Sequence, residues 1–158
     1  MSVDDLPTPL IEEVFRLEVR VDPPIVVGQD EVHGRRQLVP IVEGVVSGRL
    51  NGQVLPGGVD SQIIRPDGFT ELVARYALEL DDGERVYVNN VGIRRVDDPQ
   101  MAALVAAGQV VDPKHVYFAA VPTFETYSEK YRWLERSLFF SYGIRLPDKV
   151  VLRFYQIR

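Results

Sequence analysis

Six polar side chains stand in a stretch whose pattern is otherwise that of β-strands, and their types suit them to chemistry. Between Gln53 and Arg94, apolar and polar residues alternate, and Pro-Gly and Asp-Gly turn signals separate the segments. The polar residues that a purely structural sheet would not need are Asp60, Gln62, Arg75, Tyr76, Asn90 and Arg94. Because burial raises the pKa of a carboxyl group, an aspartate inside such a sheet is able to act as a general acid or base.

Asp60 and Arg75 are the predicted catalytic residues. Asp60 opens a strand directly after the Pro56-Gly57-Gly58 turn, and Arg75 lies in mid-strand, where a buried cation requires a carboxylate partner. In this interpretation Asp60 transfers a proton. Arg75, Asn90 or Arg94 then stabilises a developing oxyanion. The alternative is that Asp60 bonds the backbone of its own turn, as aspartates often do.

The residues predicted to bind substrate lie on the neighbouring strands and in the aromatic segment that follows. Asn90 and Arg94 share a strand face with Gly92, which indicates a pocket in which the glycine makes room and the polar groups orient a guest. The alternative is that both bond loop carbonyls at a barrel end. Aromatic side chains either stack on a planar ligand or fill the core. The predicted binding residues are Gln62, Tyr76, Asn90, Arg94, Phe124 and Trp133.

The elements that must position these residues are mostly strands. The alternating segments and their turns predict about eight to ten strands in a single antiparallel up-and-down β-barrel, with one or two short helices. Asp98-Pro99 predicts a helix start and Gly108 a helix end, and a second short helix is predicted from Ser128 to Glu135. We predict a loose leader over residues 1–10 and one all-β domain over residues 11–158.

Composition excludes several classes of function. The chain of 158 residues has no cysteine and only two histidines, and His33 and His115 do not have a zinc-ligand spacing, so no metal site and no disulfide are expected. A net charge of −5 argues against nucleic acid and anionic membranes as partners. No phosphate-loop or dinucleotide motif is present, so no cofactor is expected. Without a signal peptide pattern or a long apolar run, the expected location is the cytoplasm.

Short motifs follow one another in a fixed order along the chain. They are Leu55-Pro56-Gly57-Gly58-x-Asp60, Arg65-Pro66-Asp67-Gly68, Ala74-Arg75-Tyr76, Asp82-Gly83, Asn90-x-Gly92-x-Arg94, Pro122-x-Phe124-Glu125 and Tyr131-x-Trp133-Leu134. This ordered series resembles the small bacterial and fungal proteins grouped as domain of unknown function 3237, over nearly the whole chain from about Phe15. The resemblance implies an antiparallel β-barrel and says little about chemistry.

Three functions are compatible with these observations. The first is a barrel that binds a small, largely apolar or aromatic molecule and acts on it by cofactor-independent acid–base chemistry, as an isomerase, cyclase or lyase. The second is a non-catalytic carrier or sensor that uses the same cavity, and the third is a structural module with a filled core. We also expect a homodimer, because aromatic residues near Phe139 and Tyr155 predict an exposed apolar patch.

Overall fold

The computed structural model describes all 158 residues and contains ten strands and few helical turns. The helical segments are α1 (Pro99–Ala106) and three 3₁₀ helices (Val3–Asp5, Pro113–His115 and Glu129–Glu135). None of them is long and apolar enough to cross a membrane. The strands are β1 (Ile11–Val21), β2 (Ile25–Asp30), β3 (Gly34–Gly48), β4 (Gly52–Val54), β5 (Gly58–Ile64), β6 (Thr70–Leu80), β7 (Arg85–Val96), β8 (Val116–Thr126), β9 (Leu138–Arg145) and β10 (Lys149–Ile157).

The strands close into an antiparallel barrel because β1 pairs with β10 on one side and with β3 on the other. The ten strands occupy eight positions around it, since β1 and β2 follow one another along one side of β3, and β4 and β5 along the other. From β6 to β10 each strand pairs with the next in the chain. The predicted antiparallel β-barrel is thus confirmed.

The alternation of inward-facing and outward-facing side chains along each strand determines which residues line the barrel interior. In β6 the buried positions are every second residue from Thr70 to Leu80, and Arg75 lies on the opposite, exposed face. Successive side chains of a strand point to opposite faces, so one strand supplies both an apolar interior and a solvated exterior. The turn into β7 is formed by Asp81-Asp82-Gly83, where Gly83 has a φ of +85° that favours glycine.

The two ends of the barrel are built differently. The end where β8 finishes holds a packed aromatic core of Phe15, Phe124, Phe139 and Phe154, in which the rings of Phe15 and Phe154 stack at 4.5 Å between centroids. The 3₁₀ helix Glu129–Glu135 packs there through Tyr131 and Leu134.

Helix α1 covers part of the other end, between β7 and β8. Val105 packs on Ile64 and Val96. As predicted, Asp98 caps α1 by accepting hydrogen bonds from the backbone N–H groups of Gln100 and Met101, and Gly108 follows its end. The second predicted helix is present as the 3₁₀ helix Glu129–Glu135, but the Ser128 side chain does not cap it.

Asp82 ties the 3₁₀ helix Glu129–Glu135 to the β6–β7 turn. The Tyr131 hydroxyl donates to Asp82 Oδ2 at 2.5 Å, and Lys130 Nζ donates to the same oxygen at 2.9 Å. These two hydrogen bonds lower the pKa of Asp82 to about 2. A carboxyl group whose pKa is lower in the folded chain stabilises the fold above its ordinary pKa, and this contribution is lost as the pH falls through the lowered value.

We therefore expect Asp82→Asn to lower the melting temperature at neutral pH. The difference from the parent protein should shrink as the pH is lowered towards about 2, because the parent carboxylate is then protonated as well. Melting followed by circular dichroism over this pH range measures it. The matched control is Asp81→Asn, since the exposed Asp81 side chain makes no hydrogen bond; an equal loss in both variants would contradict the role of Asp82.

Candidate functional site

A row of paired residues brings polar groups to the interior of the barrel. Asp60 of β5 lies opposite Ala74 of β6, and Ala74 lies opposite Asn90 of β7. Directly opposite residues in an antiparallel sheet point to the same face. Tyr76 has the same parity as Ala74 and is buried beside this row. The side chains of Asp60, Tyr76 and Asn90 therefore face the barrel interior.

These three polar side chains line an inner cavity whose other walls are apolar. The cavity has a volume of about 40 Å³. Space of this size accommodates water molecules or a small part of a ligand. Its apolar lining consists of Val19, Val21, Val39, Ile41, Leu72, Ala74, Phe118, Val150 and Leu152.

Three fully buried polar atoms around the inner cavity have no hydrogen-bond partner. They are Asp60 Oδ1, the Tyr76 hydroxyl and Asn90 Oδ1, and the one other such side-chain atom in the protein, Arg132 Nε, lies elsewhere. Nearly all buried polar groups in native proteins are hydrogen-bonded, so each exception requires an explanation. Three exceptions at one cavity mark the place in the barrel interior where a bound water molecule or ligand would find bonding partners.

Gln62 connects the Asp60 carboxyl group to the arginine end of the barrel. Gln62 Nε2 donates to Asp60 Oδ2 at 2.6 Å, and Gln62 Oε1 accepts from Gln37 Nε2 at 2.9 Å and from Arg94 Nη2 at 3.5 Å. Arg94 makes no direct ion pair with any carboxylate. One amide therefore separates the buried carboxyl group from the buried guanidinium group.

Burial shifts the pKa of three titratable groups at the site, Asp60, Tyr76 and Arg94. Desolvation raises the pKa of Asp60, and the Gln62 hydrogen bond and the charges of Arg94 and Arg145 oppose this rise. Burial lowers the pKa of Arg94 to about 10, so the guanidinium group is still protonated at neutral pH. Burial, assisted by the charge of Asp60, raises the pKa of Tyr76, which keeps this residue a neutral phenol able to donate a hydrogen bond.

A second cavity lies on the other side of Gln62, at the end of the barrel near α1, and we call it the vestibule. It also has a volume of about 40 Å³. Its polar and charged lining residues are Gln37, Gln62, Arg94, Gln109 and Arg145. Its remaining wall is formed by Pro24, Ile64, Val105, Gly108, Val110, Val111, Pro113 and Val116.

Comparison with known proteins decides the family. Residues 9–157 match the model of the family described as "Protein of unknown function (DUF3237)". The chain belongs to this family. A UPF0311 protein of Clostridium acetobutylicum is 52% identical over 158 residues, which cover 99% of each chain.

Solved structures share the fold of this DUF3237 family member. A β-barrel-like protein from Acinetobacter baumannii is similar with a TM-score of 0.84 at 31% identity, covering 98% of this chain and 99% of the other. A crystal structure described as that of an enzyme from Penicillium herquei is similar with a TM-score of 0.71 at 23% identity, covering 98% of each chain. At this identity the second likeness shows the fold alone.

Three of the residues predicted for the site lie away from both cavities. Arg75 is exposed on the outer face of the barrel, where its Nε donates to Asn89 Oδ1 at 3.3 Å, because the neighbouring Tyr76 takes the inward position. Phe124 belongs to the aromatic core at the opposite end. Trp133 lies at that end too, with the Arg49 guanidinium group 3.9 Å from its ring centroid. Of the predicted residues, the structure brings together Asp60, Gln62, Tyr76, Asn90 and Arg94.

Gly92 has a different role from the one predicted. A Cβ atom at this position would lie 2.4 Å from Ala119 O and 2.4 Å from the Ala120 Cβ. The glycine therefore allows β8 to approach β7 closely, and does not leave space for a guest.

Sequence reasoning missed Gln37 and Arg145, which line the vestibule. A signal was present for Arg145, because it shares parity with the buried Phe139 and Ser141 in β9. No group of three or more histidine, cysteine or carboxylate side chains is arranged to hold a metal ion.

The unpartnered hydroxyl of Tyr76 leads to a prediction about the free energy of unfolding. A buried hydroxyl without a partner costs about 1–3 kcal/mol, so Tyr76→Phe should keep or raise the free energy of unfolding, by about 1 kcal/mol. The matched control is Tyr131→Phe, which loses its hydrogen bond to Asp82 and should destabilise the protein. Urea unfolding of both variants measures the difference. A clear destabilisation by Tyr76→Phe would mean that the hydroxyl has a partner in solution.

Proposed function

We propose that this protein binds a small, largely apolar or aromatic molecule and acts on it by cofactor-free acid–base chemistry: isomerisation, cyclisation or elimination. The observation that supports this most is the Asp60 carboxyl group, whose free Oδ1 faces an apolar cavity and whose pKa is raised by burial. A carboxyl group with a pKa nearer to neutral pH exchanges protons efficiently in both directions.

Each polar group of the inner cavity has a chemical task in this proposal. Gln62 holds Asp60 Oδ2, which leaves Oδ1 to accept a proton from a carbon or oxygen atom of the substrate. The Tyr76 hydroxyl donates a hydrogen bond to the oxygen on which negative charge develops. Asp60 then returns its proton to a different atom of the substrate, so the reaction needs no external acid, base or oxidant.

Arg94 takes the place that sequence analysis gave to Arg75. Its charge acts through Gln62, because Gln62 Oε1 accepts from Arg94 while Gln62 Nε2 donates to Asp60. A cation at this position favours the ionised form of Asp60 and any anion formed beside it. Arg94 is accordingly proposed as the electrostatic stabiliser of the site.

The size of the two cavities indicates how a substrate enters. Each has about 40 Å³, whereas small-molecule sites usually offer about 300–1,000 Å³. Displacement of the Gln62 and Arg94 side chains would join the vestibule to the inner cavity. We propose that the reacting atoms enter the inner cavity while the rest of the substrate lies in the vestibule, under the segment that follows α1.

The second candidate function is a carrier or sensor, and the same unpartnered atoms support it. Binding requires groups that bond a guest, whereas catalysis additionally requires a proton that moves. The structural-module hypothesis is less favoured, because a filled core would not leave three polar atoms unbonded.

Asp60→Asn separates these functions, because it retains the shape of the side chain and removes the transferable proton. In the enzyme we expect turnover to fall by about 100-fold or more. The parent rate should rise with pH through an inflection above the ordinary aspartate value of 3.8, since the base must be ionised and its pKa is raised. The measurement is the pH–rate profile on any substrate found by screening enolisable and unsaturated aromatic compounds.

The control for this variant is Glu125→Gln, which removes an exposed carboxylate on the outer face of β8. Its turnover and pH profile should match the parent protein. If Asp60→Asn retains full turnover, the acid–base proposal fails. If no compound is turned over but Asp60→Asn changes ligand affinity, the carrier function stands in its place.

We also propose that the protein pairs with a second copy through an apolar groove on the outer face of the barrel. Val91, Val121 and Tyr142 are exposed there, Val121 by 58% and Tyr142 by 50%. Phe140 stacks on Tyr155 at 5.1 Å beside them, whereas Phe139, which sequence analysis placed in this patch, is buried inside. A contiguous exposed apolar patch of this kind usually marks an interface.

Light scattering tests the pairing. The protein should have twice the monomer mass of 17.9 kDa at micromolar concentration, and Val121→Glu should shift it to the monomer because it places a charge in the apolar groove. Tyr127→Glu is the control, since Tyr127 is 90% exposed and lies outside the groove. A parent protein of monomer mass would end this proposal.

A further inference from the structure

The vestibule carries an excess of positive charge. Arg94 and Arg145 both line it, and none of its lining residues is an aspartate or a glutamate. Asp60, on the far side of Gln62, is the one carboxylate that acts electrostatically on both arginines, and Asp148 acts on Arg145 alone. Two cations thus face one buried carboxyl group, in a protein whose net charge is −5.

Both arginines have hydrogen-bond donors that the protein does not use. Arg94 is 91% buried, since its exposed fraction is 9%, and it makes one side-chain hydrogen bond, the 3.5 Å contact with Gln62. Arg145 is half-buried and makes no side-chain hydrogen bond and no ion pair. A guanidinium group has five N–H donors, so the vestibule offers several donors to an incoming group.

Arg35 extends the positive region to the rim of the vestibule. Its guanidinium carbon lies close to Gly108, where it would be 2.9 Å from an added Cβ atom. Its Nε donates to Gln37 Oε1 at 2.9 Å and its Nη1 to Gln29 Oε1 at 3.2 Å, so Arg35 too is held by amides and not by a carboxylate.

Apart from three glutamines, the remaining wall of the vestibule is apolar. Ile64, Val105, Val111 and Val116 line it beside the arginines. A planar guanidinium fork matches a carboxylate in geometry and charge, and it binds carboxylates with two parallel hydrogen bonds. An apolar wall next to such a fork suits a hydrocarbon skeleton that carries the carboxylate.

We propose that the vestibule binds the carboxylate group of an organic acid through Arg145 and Arg94, and that Arg145 is a specificity-determining residue. The orientation of the bound molecule rests on the proposed function. In that orientation the carboxylate stays in the vestibule and the reacting atoms lie beside Asp60. The substrate class is therefore a small aromatic or alicyclic carboxylic acid, reacting at a site remote from its carboxylate.

Binding of matched probes tests the proposal without any turnover. Benzoate and benzamide have the same shape, but only benzoate carries a charge. Isothermal titration should show saturable binding of benzoate at least about tenfold tighter than that of benzamide, because charge-assisted hydrogen bonds are the stronger kind. Raising the salt concentration should weaken the binding of benzoate and leave that of benzamide unchanged.

Arg145 offers a variant that should still fold, because its side chain is only half-buried. Arg145→Gln should weaken benzoate binding by about tenfold and leave benzamide binding unchanged. Arg145→Lys should lie between the two, since it keeps the charge and loses the planar fork. The matched control is Arg153→Gln on the outer face of β10, which should bind benzoate like the parent protein.

The outcomes separate this inference from the proposed catalysis. Arg145-dependent binding of benzoate that persists in Asp60→Asn supports carboxylate recognition, even if no compound is turned over. Equal binding of benzoate and benzamide, no saturable benzoate binding, or unchanged benzoate affinity in Arg145→Gln would each overturn it. Tighter binding of inorganic phosphate than of benzoate, lost in Arg145→Gln, would overturn the carboxylate assignment.

Discussion

The pairing of β1 with both β10 and β3 is the constraint on which the rest of the structure depends. This closure leaves no free edge between the first and last strands, and it divides every strand into an inner and an outer face. Inside, a polar group is shielded from bulk water and must bond to the protein, to an enclosed water molecule or to a ligand. The chemical character of Asp60 follows from this confinement, since the same side chain on the outer face would be an ordinary ionised surface group.

Much of this architecture could be predicted from the sequence, because alternation and turn signals are local. The strands around Asp60, Tyr76, Asn90 and Arg94 could be placed from their neighbours alone. Arg75 and Tyr76 could not be assigned to a face, since both orientations keep one polar residue inside. The orientation depends on the register of β6 with β5 and β7, and the residues of one strand do not determine that register.

The residues that sequence reasoning missed come from distant parts of the chain. Arg145 belongs to the last hairpin, and it reaches the vestibule because the barrel closes. Gln62 was predicted as a binding residue, but its place between Asp60 and Arg94 depends on side-chain positions in two strands. Gly92 was predicted to make room, and only the packing of Ala119 and Ala120 shows that β8 already occupies that space.

The proposed site and the aromatic core lie in different parts of the barrel. The aromatic core around Phe15, Phe124 and Phe154 has well-packed rings, and the one unbonded buried side-chain atom at that end is Arg132 Nε, whereas the other three surround the inner cavity. Functional sites commonly depart from the packing and polar satisfaction that stabilise a fold, and the remainder of the protein compensates for them. On the proposed function, substitutions near the vestibule change ligand binding without affecting the aromatic end that stabilises the barrel.

If the three unbonded atoms around the inner cavity bond a ligand, as proposed, the melting temperature of the protein reports the binding of that ligand. Each of them was bonded to water in the unfolded chain, so each makes folding less favourable. A molecule that bonds them finds no equivalent arrangement in the unfolded chain, so it stabilises the fold by an amount that grows with the ratio of its concentration to its dissociation constant. A collection of unrelated metabolites can accordingly be sorted by melting temperature alone, before anything is known of the reaction.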